Sequence, residues 1–256
     1  YLLFTITDDA GNVVRRLKAP AKKGINRISW DFRNDTKVPV DFTPFDESNV
    51  FSNPDRGTLV VPGTYKVSMQ KFEDSVYTEL VSPVSFRIEA LNMIHMPVAD
   101  KKVLYDFGMK VEELQRAVAG TNVYADELRN KLKYMKQAVL QTPAMDASVM
   151  KQMIVLERRL TEVDKILNGD ASLTRREFEA PTSLNSRIGS IMDGLVSTTT
   201  AATNTFMNSY NDAARQFAPV STEVKNIDAE IKKLELVLEQ NKAPYTPGRL
   251  PQWNQQ

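Results

Sequence analysis

The hydrophobic period of this chain changes once, near Asp100, and that change constrains the fold more than any other feature of the sequence. Before it, apolar residues come in short alternating runs; after it they step by three and four. A period of two places alternate side chains on one face of a strand, whereas a period near 3.5 places them on one stripe of a helix. The expectation is an α+β chain with strands first and helices second. At 256 residues it is longer than one average domain. Two domains are expected, over residues 1–90 and 100–242, with a linker at 91–99 and a C-terminal tail at 243–256.

In the first part, Leu2 to Thr7 and Val13 to Leu17 flank Asp8-Asp9-Ala10-Gly11-Asn12, whose Asp, Gly and Asn suit a tight hairpin. Alternation then puts Ile28, Trp30 and Phe32 on one face of a further strand, with Trp30 buried between two sheets. The Pro62-Gly63 turn introduces a strand over Tyr65 to Lys71, and shorter runs follow at Val76 to Leu80 and Val84 to Ile88. Short strands with turn signals every ten residues or so predict an Ig-like antiparallel β-sandwich. The stretch from Asn34 to Gly57 carries prolines at 39, 44 and 54 and five acidic residues, and reads as a surface excursion.

The second part holds four stripes. Val103, Phe107, Val111, Leu114, Val118, Thr121, Ala125, Leu128, Leu132, Met135 and Val139 keep phase across Gly120, predicting one helix from Asp100 to Gln141 with room for a gentle bend at the glycine. Val149, Met153, Leu156, Leu160, Val163 and Leu167 follow Asp146 as N-cap and precede an Asn168-Gly169 stop. A third stripe begins at Leu184, Ile188, Ile191 and Leu195 with Ser183 as cap. It continues through Ala202, Phe206, Tyr210, Ala213 and Phe217, past Thr198 to Thr200, where a bend is allowed. The fourth runs Val220, Val224, Ile227, Ile231, Leu234 and Val237. Short connections between such stripes predict an up-down four-helix bundle. Pro244, Pro247 and Pro251 keep the tail extended, and Tyr245, Leu250 and Trp253 give it apolar surface with which to dock.

Composition narrows the chemistry. With no Cys there is no thiolate nucleophile or thiolate metal site, and one His excludes sites that need two. A net charge of +1 supplies no field for nucleic acid, and no run of eighteen apolar residues is available for a membrane span. Neither partner is expected. His95, in Asn92-Met93-Ile94-His95-Met96-Pro97, reads as a linker side chain. Asp8, Asp9, Asp31 and Asp35 are the candidates for calcium or for paired carboxylates, but their spacing is that of turn chemistry. The basic pairs Arg15-Arg16, Lys22-Lys23 and Arg175-Arg176 read as solvated surface. No G-x-S-x-G, H-E-x-x-H or P-loop occurs. The expectation is no catalytic residue, no cofactor and no bound metal, with Trp30, Gly63, Tyr65 and Trp253 as structural residues.

Lys23-Gly24-Ile25-Asn26-Arg27-Ile28-Ser29-Trp30-Asp31-Phe32-Arg33 followed by Val61-Pro62-Gly63-Thr64-Tyr65-Lys66-Val67 resembles the Ig-like module of flagellar hook-capping proteins and bacterial secreted enzymes, where G-x-N-x-x-x-W-D precedes P-G-x-Y-x-V. The order of that module, then Leu114-Gln115-Arg116-Ala117, Asn168-Gly169-Asp170 and Pro244-Tyr245-Thr246-Pro247-Gly248-Arg249, is similar to the C-terminal region of sortilin-like, neuraminidase-repeat β-propeller proteins of Bacteroidetes, often labelled glycosyl hydrolases. The resemblance implies that the chain is a fragment preceded by propeller domains, exported to the periplasm, outer membrane or exterior. It also implies a non-catalytic accessory region that caps or positions the propeller, or docks it to a cell-envelope protein. Two alternatives stand beside it: part of a glycan- or peptide-processing hydrolase whose active site lies in the propellers, and a subunit of an adhesion or secretion assembly. No Ser-x-Asp-x-Gly-x-x-Trp box is present, so the hydrolase label attaches to no residue of this chain.

Overall fold

The computed structural model describes residues 1–43, 48, 57–91, 98–197, 201–250 and 253. Its architecture is α+β: a four-stranded antiparallel sheet followed by five helices. Two compact units divide the chain, one of residues 1–113 with 191–206 and one of residues 114–190 with 207–256. His95, most of the 91–99 linker, half of the proline-rich excursion and Thr198 to Thr200 lie outside the described residues.

In the first unit, β1 (Leu2–Asp8), β2 (Val13–Ala19), β3 (Gly63–Glu73) and β4 (Val76–Ile88) pair in the order β2-β1-β3-β4. The β1–β2 turn is closed by Asp8, whose carboxylate accepts from the Asn12 backbone N–H at 2.7 Å and from Asn12 Nδ2 at 2.9 Å. The β3–β4 turn is a two-residue loop with Asp74 at φ 51° and Ser75 at φ 64°, the doubly left-handed geometry that matches strand twist. Expected as two runs, Val76 to Ile88 is one strand. Its ladder slips between Val67 and Met69 of β3, opposite the Ser82-Pro83 step, and as β4 is an edge strand this is where a residue without an N–H is tolerated.

The strand expected at Ile25 to Phe32 does not form. Ile25 is fully exposed, Ile28 and Phe32 are 37% and 47% exposed, and only an isolated Arg33–Leu59 bridge pairs this region with another segment. Phe32 sits at φ 59°, which ends any strand alternation, and its carbonyl accepts from Val60 N at 2.8 Å. Trp30 is half-buried rather than enclosed between sheets, since the four described strands make a single sheet. Its ring meets Phe32, Tyr65 and Phe86 edge-on at 5.3, 5.8 and 6.3 Å, and its Nε1 donates to the Arg33 carbonyl at 2.9 Å. Ile6, Val14, Val60 and Tyr65 are the buried core beside it, with the Tyr65 hydroxyl bonded to the Val61 carbonyl at 2.6 Å.

The helices are α1 (Val98–Leu140), α2 (Ala147–Asn168), α3 (Ala171–Thr174), α4 (Leu184–Ser197) and α5 (Asn204–Gln240). The first is continuous through Gly120, as its phase requires. Its stripe at the start is shifted: Val103 is 67% exposed, and the turns before Val111 present Leu104, Tyr105 and Gly108 instead. A 3.5-residue repeat drifts around a 3.6-residue helix, so a long stripe extrapolated backwards lands on the wrong face. In α2 the six expected residues are the buried ones, Asp146 caps Ser148 N at 2.7 Å, and Gly169 ends the helix.

The division expected between a third and a fourth helix is corrected. α4 stops at Ser197, and α5 runs unbroken through Pro219, so Phe206 to Phe217 belong with Val220 onward. An interior proline removes one helical hydrogen bond. Here Ala213, Val220, Val224, Ile227, Ile231, Leu234 and Leu238 stay buried in one register on both sides of it, with Leu238 in place of the expected Val237. In the second unit, ion pairs join α1 to α2 (Lys136–Glu157, 2.6 Å), α1 to α5 (Lys131–Glu235, 3.0 Å) and α2 to α5. The last is Arg159 between Glu223 and Glu230 at 2.6 and 2.7 Å.

The tail is ordered around a different residue from those expected. Tyr245, Leu250 and Trp253 are 65%, 88% and 81% exposed, whereas Thr246 and Arg249 are buried. The Arg249 guanidinium donates to Glu239 Oε2, to the carbonyls of Ala243 (2.8 Å) and Pro244, and to Thr246 Oγ1.

Candidate functional site

A cavity of about 630 Å³ opens in the first unit, within the 300–1,000 Å³ usual for small-ligand sites. One wall is the segment Thr58 to Pro62 with Phe86 and Ile88 of β4; another is α1; a third is the end of α4, through Met192, Leu195 and Val196. On α1 the lining residues are Lys101, Leu104, Tyr105 and Gly108, the i, i+3, i+4, i+7 spacing of one helical face. Phe32, held in its left-handed conformation, adds a half-exposed ring.

A polar hub fixes the first wall to α1. Asn34, buried, donates to the Thr58 carbonyl from both its backbone N and its Nδ2, each at 3.0 Å, while its own carbonyl accepts from Arg15 at 2.9 Å. Tyr105 donates to Asn34 Oδ1 at 3.5 Å, and Asn34 Nδ2 also reaches Met109 Sδ at 3.7 Å. Glu112, 1% exposed, accepts from Thr58 N through Oε1. Two buried atoms of the hub, Thr58 Oγ1 and Glu112 Oε2, have no hydrogen-bond partner. Burial pushes the Tyr105 hydroxyl above the usual tyrosine range, against the pull of its bond to Asn34 and aided by the Glu112 charge.

Gly108 lets the two walls close. A Cβ on it would lie 2.7 Å from Thr58 Oγ1 and 2.8 Å from Thr58 Cγ2, nearer than side-chain atoms pack. The sequence reading assigns no role to Gly108, Asn34, Thr58 or Glu112. No local signal marks Glu112: charged residues also follow Ala125, Leu128, Leu132 and Met135 on the same stripe, and those are not buried.

Of the aspartates considered for a metal, Asp8 serves the hairpin turn, Asp31 accepts from Arg33 N at 3.2 Å, and Asp35 pairs with Arg15 at 3.1 Å. Asp9 is exposed. Among the described residues no group of three or more His, Cys, Asp or Glu is placed to hold a metal ion. No helix there is long and apolar enough to cross a membrane. Gly63 opens β3, and Tyr65 is in the core. The chain matches no family model, no curated protein and no solved structure.

Proposed function

We propose that the chain is a non-catalytic accessory and interaction region of a larger exported β-propeller protein, positioning the propellers or docking them to a cell-envelope partner. In this reading the sheet is one half of an Ig-like sandwich and the long helices form a four-helix bundle. The observation that supports it best is β4. Every residue from Val76 to Ser85 is exposed, and Val76, Tyr77, Leu80, Val81 and Val84 are apolar. A long uncovered edge strand with apolar side chains is a feature that folded proteins normally cover, so a neighbouring domain of the same protein is its natural occupant. The exposed Tyr245, Leu250 and Trp253, on a tail held by Arg249, are a second apolar surface of the same kind.

Catalysis is not needed to account for the buried polar side chains. Glu112 and Asn34 hold Thr58, and Arg249 holds the tail. The test is binding of the chain to the separately produced propeller segment of the same protein. One-to-one binding lost in Leu80→Lys/Val84→Lys, with the melting temperature unchanged, supports the reading. Absence of binding, recovery of the protein only from cytosol, or glycan or peptide hydrolysis by the chain alone overturns it.

A further inference from the structure

We propose that the cavity of the first unit binds a long-chain carboxylate, a fatty acid, with its methylene chain inside and its head at Lys101. This inference is independent of the docking surface on β4. The walls are chiefly aliphatic, with Leu59, Ile88, Leu104, Met192, Leu195 and Val196 facing one space. Branched aliphatic walls and a methionine suit a flexible methylene chain, because they give dispersion contact without requiring the ring alignment of an aromatic ligand.

The charge at the rim selects the head. Three charged residues line the cavity, Arg87, Glu89 and Lys101. Arg87 and Glu89 pair with each other at 3.4 Å and cancel. Lys101, on the first turns of α1, has no carboxylate within ion-pair distance among the described residues, and it stands one turn from Leu104 and Tyr105 on the face that lines the space. An apolar chamber lined by one lysine without an ion-pair partner among the described residues fits an apolar chain ending in one negative charge. A neutral alcohol leaves Lys101 unused, and a sugar or nucleotide finds few donors on these walls.

The chain carries two tryptophans, of which Trp253 is exposed and Trp30 touches the lining rings Phe32 and Phe86. In a Trp253→Phe background the emission of Trp30 therefore reports on the cavity. Titration with palmitate below its aggregation concentration is expected to change that emission saturably at one equivalent. Lys101→Gln is expected to weaken palmitate at least fivefold while leaving hexadecanol unchanged. Val196→Phe, which fills the space, is expected to abolish both; Leu59→Phe at the more exposed wall serves if that variant does not fold. Non-saturating binding, equal palmitate affinity in wild type and Lys101→Gln, or equally tight binding of a zwitterionic single-chain lipid overturns the proposal.

Discussion

Two glycines of α1 make a matched pair for testing the close approach of Thr58. At Gly120 an added Cβ meets nothing within 4 Å, so Gly120→Ala brings only the helix-propensity gain of about 0.5–1 kcal/mol. At Gly108 the same gain is set against atoms at 2.7 and 2.8 Å. Thr58 cannot step aside freely, because its N–H is bound to Glu112 and its carbonyl to Asn34. Overpacking of this kind costs about 1–3 kcal/mol, so Gly108→Ala is expected to be destabilising by about 1–2 kcal/mol. Thr58→Ala removes both close atoms, and Thr58 Oγ1 has no hydrogen bond to lose. The double variant should therefore recover at least about 1 kcal/mol relative to the sum of the single variants. Urea melts at constant slope measure each shift in midpoint, each read on the transition of its own unit. If Gly108→Ala stabilises as much as Gly120→Ala, or if the two changes at 108 and 58 add, the approach of Thr58 to α1 is wrong.

Trp30→Ala is expected to cost about 2–4 kcal/mol in the same melts, less than full enclosure would give, since the ring is half-buried but loses three edge contacts and the bond to the Arg33 carbonyl. Arg249→Met removes the donor shared by Glu239 and two carbonyls and is expected to cost about 2–4 kcal/mol with faster proteolysis of the tail, whereas Trp253→Ser should stay within about 0.5 kcal/mol. The hydrogen bond from Arg159 holds the Glu223 carboxyl below the usual range. A carboxyl depressed in the fold contributes stability above its unfolded value, near about pH 4.3, and loses it as pH falls through the lower folded value. Arg159→Gln should therefore flatten the fall in melting temperature between about pH 5 and pH 3. An unchanged acid profile in that variant would show that the pair does not contribute.

What was legible from sequence is local and periodic. In α2 the cap, the six buried positions and the glycine stop all lie within one amphipathic repeat, so each supports the others. The continuity of α1 through Gly120 was legible for the same reason. Two elements read as pairs are each continuous through a proline, β4 at Pro83 and α5 at Pro219, because a proline's effect depends on what the neighbouring residues bury. Apolar register carries α5 across Pro219, and a ladder slip on an edge strand takes in Pro83. The Trp30 strand failed because alternation cannot show whether a partner strand exists. The tail's anchor was not legible because apolar content does not report hydrogen-bonding capacity: Arg249 satisfies two carbonyls just past the end of α5, which no apolar side chain can do.

The hub and the cavity explain one another. The segment Thr58 to Pro62 is held by polar bonds, from Thr58 N to Glu112 of α1 and from Asn34 to the Thr58 carbonyl, and at Gly108 side-chain atoms close up. Beyond that point Leu59, Val61 and Pro62 stand apart from Leu104 and Leu195, which leaves apolar walls without apolar filling. A core held by packing would collapse such a space, since cavity walls lose dispersion contacts. A wall suspended by buried hydrogen bonds cannot move inward without breaking them, at about 1–3 kcal/mol for each buried group left unpaired. Glu112→Gln and Asn34→Ala should therefore loosen the wall and shrink or distort the space. Filling from outside by an apolar chain leaves every one of those bonds in place.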